Sequence, residues 1–216
     1  MIISKQKPFE EILAMLKECQ KVFLVGCGEC ATTCKSGGES ELKEIKKQLE
    51  SKGKIVLGIC IPEAPCLASK VKMELAKSSS ALREAEALLV FACGLGVQSV
   101  KNNYRGNAAV LPGVNTFFGA IMDAKGNFFE KCSMCGECVL EMTEGICPVT
   151  LCAKGLMNGP CGGMDKGKCE VDKEKDCAWV LIYKELEKKN KTAKFRQILS
   201  ARDHRKSAKP QQLIIN

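Results

Sequence analysis

Histidine is nearly missing from this chain: His204 is the only one in 216 residues, and it lies in a charged C-terminal segment. General acid–base catalysis draws on histidine more than on any other side chain, so that chemistry has almost no raw material here. Aromatic residues are scarce as well, at eight Phe, two Tyr and one Trp. They do not interleave with basic residues in the pattern that stacks bases, so no nucleic-acid partner is expected. No apolar run approaches the roughly eighteen residues that a membrane span needs. The opening residues, Met1 to Glu11, lack the apolar stretch and small-residue cleavage site of a secretory signal. The net charge of +8 is unevenly spread: residues 184–209 hold ten Lys/Arg against three acids, +7 of the total, and leave +1 for the rest. A solvated helix and tail account for this segment better than a docking strip for an acidic partner.

What the chain has in excess is cysteine, fifteen in all. The number is odd, the spacings are close, and no signal sequence precedes them. A reducing, cytoplasmic setting with metal-binding thiolates therefore explains them better than a disulfide framework. Eight fall between Cys132 and Cys177: Cys132, Cys135, Cys138, Cys147, Cys152, Cys161, Cys169 and Cys177. The first three form a C-x2-C-x2-C run, the pattern in which bacterial ferredoxins bind three corners of a cubane. The fourth ligand in such proteins comes from a distant cysteine, often before proline, and Cys147-Pro148 has that form. Eight thiols divide into two sets of four. Two [4Fe–4S] clusters are the leading expectation for this region, with one cluster plus zinc at a four-cysteine site as the alternative. Spacing does not decide which distant cysteine closes which set. Trp179 is expected to shield the metal site and pack on the helix after it.

The first hundred residues read differently. Short apolar runs at 21–26, 54–59, 87–92 and 108–111 are separated by helical patterns at 10–18, 40–51, 65–77, 80–86 and 96–103. This predicts an α/β fold, a small parallel, doubly wound sheet covered on both faces. Each of the first three strands is followed at once by a cysteine: Cys27, Cys60 and Cys93. Ligands in such sheets gather beyond the carboxyl ends of the strands. Cys27, Cys30 and Cys34 add a C-x2-C-x3-C triplet on the first loop. These three, with Cys93 or Cys60, are expected to hold one [4Fe–4S] cluster, which brings the chain's total to two or three. Taken singly, Cys60, Cys66 and Cys93 read equally well as small buried hydrophobes. The glycine-rich stretch 92–99 lacks the third spaced glycine of a dinucleotide loop, so no nucleotide site is expected.

The expected organisation is an α/β domain over 1–114, a cysteine-rich, mostly irregular cluster domain over 115–182, and a basic C-terminal helix and tail over 183–216. Within 115–130, two Phe-Phe pairs around an Asp/Gly turn suggest two short extended pieces. Backbone N–H groups of Gly28, Gly94, Gly136 and Gly162, each beside a cysteine, are candidates to hydrogen-bond cluster sulfur.

Several motifs together resemble one family: CGECATTC at 27–34, ACGLGVQ at 92–98, CGECVL at 135–140, NGPCGG at 158–163, GKCEV at 167–171 and DCAW at 176–179. Over residues 20–190 they resemble the MetV-type small subunit of methylenetetrahydrofolate reductase, also described as a zinc-binding C-terminal-like domain of that reductase. The resemblance implies a subunit that pairs with a flavin-containing TIM-barrel reductase subunit, which converts methylene- to methyltetrahydrofolate in the folate branch of the acetyl-CoA (Wood–Ljungdahl) pathway. It implies that these cysteines carry metal centres, while flavin and folate belong to the partner. The expected function is then electron transfer, from a donor protein or module toward that flavin, with no catalytic residue of its own. The alternatives are a structural zinc module without redox activity and, more weakly, a thiol-redox enzyme using Cys27 and Cys30.

Overall fold

The computed structural model describes residues 1–214 and divides into two compact units, Met1–Phe118 and Gly119–Asn216. The first unit contains β1 (Ile2–Gln6), α1 (Phe9–Met15), β2 (Lys21–Val25), α2 (Cys30–Thr33), α3 (Glu39–Ser51) and β3 (Ile55–Cys60). It continues through α4 (Ala68–Lys77), α5 (Ser79–Glu84), β4 (Ala87–Val90), α6 (Gly94–Asn103) and β5 (Ala109–Pro112). Strand β6 (Val114–Met122) runs across the division between the units, and β7 (Phe128–Glu130) pairs with its far end.

The four strands foreseen in the sequence form one sheet in the order β3-β2-β4-β5, parallel throughout. Alternation along the central strands explains how the sheet is covered on both faces. Phe23 and Val25 of β2, with Leu88 and Val90 of β4, pack against Val71, Leu75, Leu82 and Val100 from α4, α5 and α6. Val22 and Leu24, with Leu89, face the opposite way onto Ile12, Leu16, Leu42, Ile45 and Leu49 from α1 and α3. Each such fully buried leucine or valine contributes about 1.5–3 kcal/mol. Gly58 of β3 leaves room for the Phe23 ring, since a Cβ there would stand 2.7 Å from Cε2.

Strand β1 was not foreseen. It is short and half polar, and its sheet, ordered β1-β6-β7, joins it to a segment more than a hundred residues away. The turn around Asp123 appears as expected: the Asp123 carboxylate accepts the N–H groups of Lys125 (2.8 Å) and Asn127 (2.9 Å) and closes the β6–β7 hairpin.

Beyond the β6–β7 hairpin, the second unit holds α7 (Pro148–Leu151), α8 (Ala178–Lys188) and two short 3-10 turns at Thr192–Arg196 and His204–Ser207, joined largely by turns and bends. Left-handed backbone at Met134, Gly136, Glu144 and Gly145 marks how tightly its loops fold back. Its hydrophobic cluster contains four buried residues, Cys177, Trp179, Ile182 and Leu186, with Phe195 edge-to-face on Trp179 at 5.8 Å. That core is small for a unit of this length, and units so poorly stocked usually rely on disulfides or metals. All fifteen cysteines are free thiols.

The basic C-terminal segment is more engaged than a solvated tail. Lys189, Lys191 and Lys194 converge on Glu144 at 3.1, 3.1 and 3.2 Å. The difference arises because one half-buried carboxylate, invisible to local pattern, gives the basic run a fixed place to go. Among the described residues, no helix is long and apolar enough to cross a membrane.

Candidate metal centres

In the first unit the thiols gather at the carboxyl edge of the sheet. The order β3-β2-β4-β5 places the topological switch between β2 and β4, and the crevice beyond such a switch is where open α/β sheets bind ligands. Cys27 follows β2 and Cys93 follows β4, so both flank that crevice. Burial raises the Cys27 thiol; N–H groups of Ala31 and Glu29 oppose this, and the charges of Cys30 and Cys93 add to the rise. Cys30 and Cys93 therefore each lie within electrostatic reach of Cys27. Cys34 joins them through β1: its thiol faces the Ile2 carbonyl at 3.9 Å, while the Ile2 N–H donates to Cys30 Sγ at 3.4 Å.

Cys60 ends β3, the strand on the far side of β2 from β4, and its side chain sits with Cys27, Val71 and Leu75 in one apolar cluster. Burial pushes its thiol up to about 12, and the charged group that adds to this is Glu74, not another cysteine. Cys66 is exposed.

The loop that carries Cys27 is held by backbone. Cys27 N–H donates to the Gly37 carbonyl at 3.0 Å, and the Thr32 hydroxyl donates to the Cys27 carbonyl at 2.6 Å. Gly28 and Gly94 do not offer their N–H groups to sulfur. Gly28 donates to the Pro62 carbonyl at 3.0 Å and Gly94 to the Thr116 hydroxyl at 2.9 Å. The first bond extends the β2–β3 pairing and the second ties the start of α6 to β6. N–H groups that reach sulfur include that of Ile2 on Cys30 and, in the second unit, that of Met134, which donates to Cys132 Sγ at 3.4 Å.

In the second unit Cys152, Cys161, Cys169 and Cys177 line one cavity, together with Met164 and Trp179. The cavity measures about 20 Å³, room for roughly one water-sized sphere. Trp179 forms part of its wall, and its indole N–H donates to the Leu156 carbonyl at 3.0 Å. N–H groups of Asp172 and Val171 hold the Cys169 thiol below its ordinary value, which favours the thiolate that a metal requires. Cys161 is 3.1 Å from the Glu170 carboxylate, which Lys154 also engages at 2.5 Å. Glu170 carries no cysteine-like spacing signal and could not be found from sequence.

Cys132, Cys135 and Cys138 lie on a separate exposed to half-buried loop, and Cys147 caps α7 ahead of Pro148. The cavity is lined by four of the eight downstream thiols; Cys132, Cys135, Cys138 and Cys147 are the other four. Among the described residues, no three Cys, His, Asp or Glu side chains are drawn together closely enough to grip an ion as they stand. The donor chemistry nevertheless fits soft metals, since every candidate is a free thiol. Sites of this kind commonly close only as metal binds, so that binding energy becomes folding energy.

Residues 111–205 match the family described as Methylene-tetrahydrofolate reductase C terminal. The matched segment includes the β6–β7 hairpin, all eight downstream cysteines, α8 and the basic segment as far as Arg205. This part of the chain is therefore a domain similar to the C-terminal region of that reductase family. The match reaches beyond residue 190, where the motif resemblance stopped, and leaves most of the α/β unit uncovered. No curated protein matches the chain.

Proposed function

We propose that this chain is the electron-transfer iron–sulfur subunit of a methylenetetrahydrofolate reductase, passing electrons to the flavin of a catalytic subunit. The observation that carries the reading is the grouping of free thiols: Cys27, Cys30 and Cys93 around one crevice, and Cys152, Cys161, Cys169 and Cys177 around one cavity. That grouping occurs in a chain whose residues 111–205 resemble the reductase C terminus. Cys27, Cys30, Cys34 and Cys93 are the ligands of the first-unit centre; Cys60, at the end of the edge strand β3 and away from the β2/β4 crevice, is not needed. Cys132, Cys135, Cys138 and Cys147 form the second set, and the four cavity cysteines the third. Bound there, iron–sulfur clusters supply one-electron transfer at potentials set by hydrogen bonds to sulfur and by burial.

The residues around the thiols have definable tasks. The N–H groups of Ile2 and Met134 stabilise negative charge on Cys30 and Cys132, as hydrogen bonds around a metal site do. Trp179 and Met164 keep water from the cavity set. The partner would hold flavin and folate, and an electron-donor protein or module would supply the electrons. The single histidine, His204, is exposed on the tail.

A second reading concerns the cavity set alone. A space of about 20 Å³ suits a single tetrahedral ion better than a cubane, so zinc at Cys152, Cys161, Cys169 and Cys177 is the structural alternative there. Anaerobic purification with iron, acid-labile sulfide and zinc analysis tests both. About twelve iron atoms per chain support three cubanes; about eight iron and one zinc support two cubanes with a zinc site. Zinc without iron overturns electron transfer and leaves a structural module. Reduction of the partner's flavin through the iron-loaded subunit is the functional check.

A further inference from the structure

The C-terminal tail returns to the C-x2-C-x2-C loop and lies on it. Asn158 anchors the approach through two bonds to Leu199, donating to its carbonyl at 3.0 Å and accepting its N–H at 2.7 Å. Asp203 N–H then donates to the Glu137 carboxylate at 3.1 Å, and Lys206 Nζ donates to its other oxygen at 2.9 Å. Gly136, between Cys135 and Glu137, has φ +77°, and a Cβ there would stand 2.4 Å from the Lys206 carbonyl oxygen. Tail and thiol loop therefore meet backbone to backbone, with no room for a side chain between them.

Arg202 enters at the centre of this contact. Its Nη2 donates to the Cys135 carbonyl at 3.3 Å, while its Nε is buried with no partner among the described residues. An unpaired guanidinium N–H in a buried position is costly unless something accepts from it. Around it, Lys206 pairs with Glu137 and Arg205 with Asp203. Arg202 makes no ion pair of its own among the described residues, although its charge adds to the Lys206 hydrogen bond in holding the Glu137 carboxyl below its ordinary value. On the loop itself, Cys132 accepts the Met134 N–H at 3.4 Å and the Cys135 thiol donates to the Glu137 carbonyl at 3.5 Å.

We propose that Arg202 is a positioning residue for the metal centre on the Cys132–Cys138 loop: it fixes the loop through the Cys135 carbonyl and turns its free Nε–H and positive charge toward the thiolate-bound group. This rests on the reading that the loop holds an iron–sulfur cluster. A fixed positive charge beside a cluster favours the reduced, more negative state and raises the potential. The tail is then part of the redox site.

The test uses the full chain, purified anaerobically, as wild type, Arg202→Gln, Arg202→Lys and Cys135→Ser. Potentiometric titration followed by electron paramagnetic resonance identifies the loop centre as the signal that Cys135→Ser abolishes. In Arg202→Gln, with iron and sulfide retained, that signal is expected to become harder to reduce by about tenfold, 59 mV for one electron. Arg202→Lys, which keeps the charge, is expected to restore most of the shift. A signal unmoved in Arg202→Gln, or moved equally in both variants, overturns the proposal while leaving the cluster reading intact. Loss of the loop's iron in both Arg202 variants also overturns it, because the residue would then be structural only. A wild-type chain without iron sinks the cluster reading and this inference together.

Discussion

The sharpest perturbation concerns Cys60 and Cys93, the two candidates to complete the first-unit site. Cys60 ends β3 in the apolar cluster under α4, and burial pushes its thiol to about 12 against an ordinary 9.0. Below pH 9 its thiolate fraction is then smaller than an ordinary thiol's by about a thousandfold, and the thiolate is the species that reacts or binds metal. Alkylation of the metal-free chain at pH 8, mapped residue by residue by mass spectrometry, should label Cys60 at least about a thousandfold more slowly than the same thiol in unfolded chain. Labelling that does occur reports local opening. Cys60→Ala should cost on the order of 1 kcal/mol of stability, the loss of one buried methylene-sized group, and should leave the iron content unchanged. Cys93→Ala should remove one cluster, about four iron atoms. The reasoning fails if native Cys60 labels within about tenfold of the unfolded chain. It fails equally if Cys60→Ala loses iron and Cys93→Ala does not.

Glu144, ringed by Lys191, Lys189 and Lys194, has its carboxyl held down at about 2 from an ordinary 4.5. A carboxyl depressed in the folded state binds fewer protons there than in the unfolded chain, so its stabilisation is full above about pH 4.5 and fades as pH falls toward 2. Thermal unfolding of wild type and Glu144→Gln between pH 2 and 6 should show a gap that is constant near neutrality and closes on the acid side; a gap that is independent of pH would refute this. Gly37→Ala should destabilise the first unit by about 1–3 kcal/mol or more. Its Cβ would meet the Phe91 carbonyl oxygen at 2.0 Å, and the Gly37 carbonyl that holds Cys27 N–H would have to shift. Urea denaturation within about 0.5 kcal/mol of wild type would contradict that close approach.

Local pattern was enough to read the parallel sheet, because β2 and β4 are buried on both faces and must be continuously apolar. The hairpin at Asp123 and the thiol triplets were legible for the same reason: their signals lie within a few neighbouring residues. Pairings across long stretches of chain were not. Strand β1 needs β6, Lys189, Lys191 and Lys194 need Glu144, and Arg202 needs a loop 67 positions earlier. The resemblance stopped at residue 190 because the tail has no motif of its own, only a partner in space.

By itself the sequence determined the kind of chemistry available: fifteen soft thiol ligands, one histidine, and an apolar supply concentrated in the first unit. Only the folded chain decided which thiols lie near one another. Strand order puts Cys27 and Cys93 on either side of the crevice and Cys60 at the edge strand, while Cys152, Cys161, Cys169 and Cys177 come to line one cavity with Trp179. The physical reason is that spacing along the chain limits which residues can be near, whereas burial and register choose which of them are.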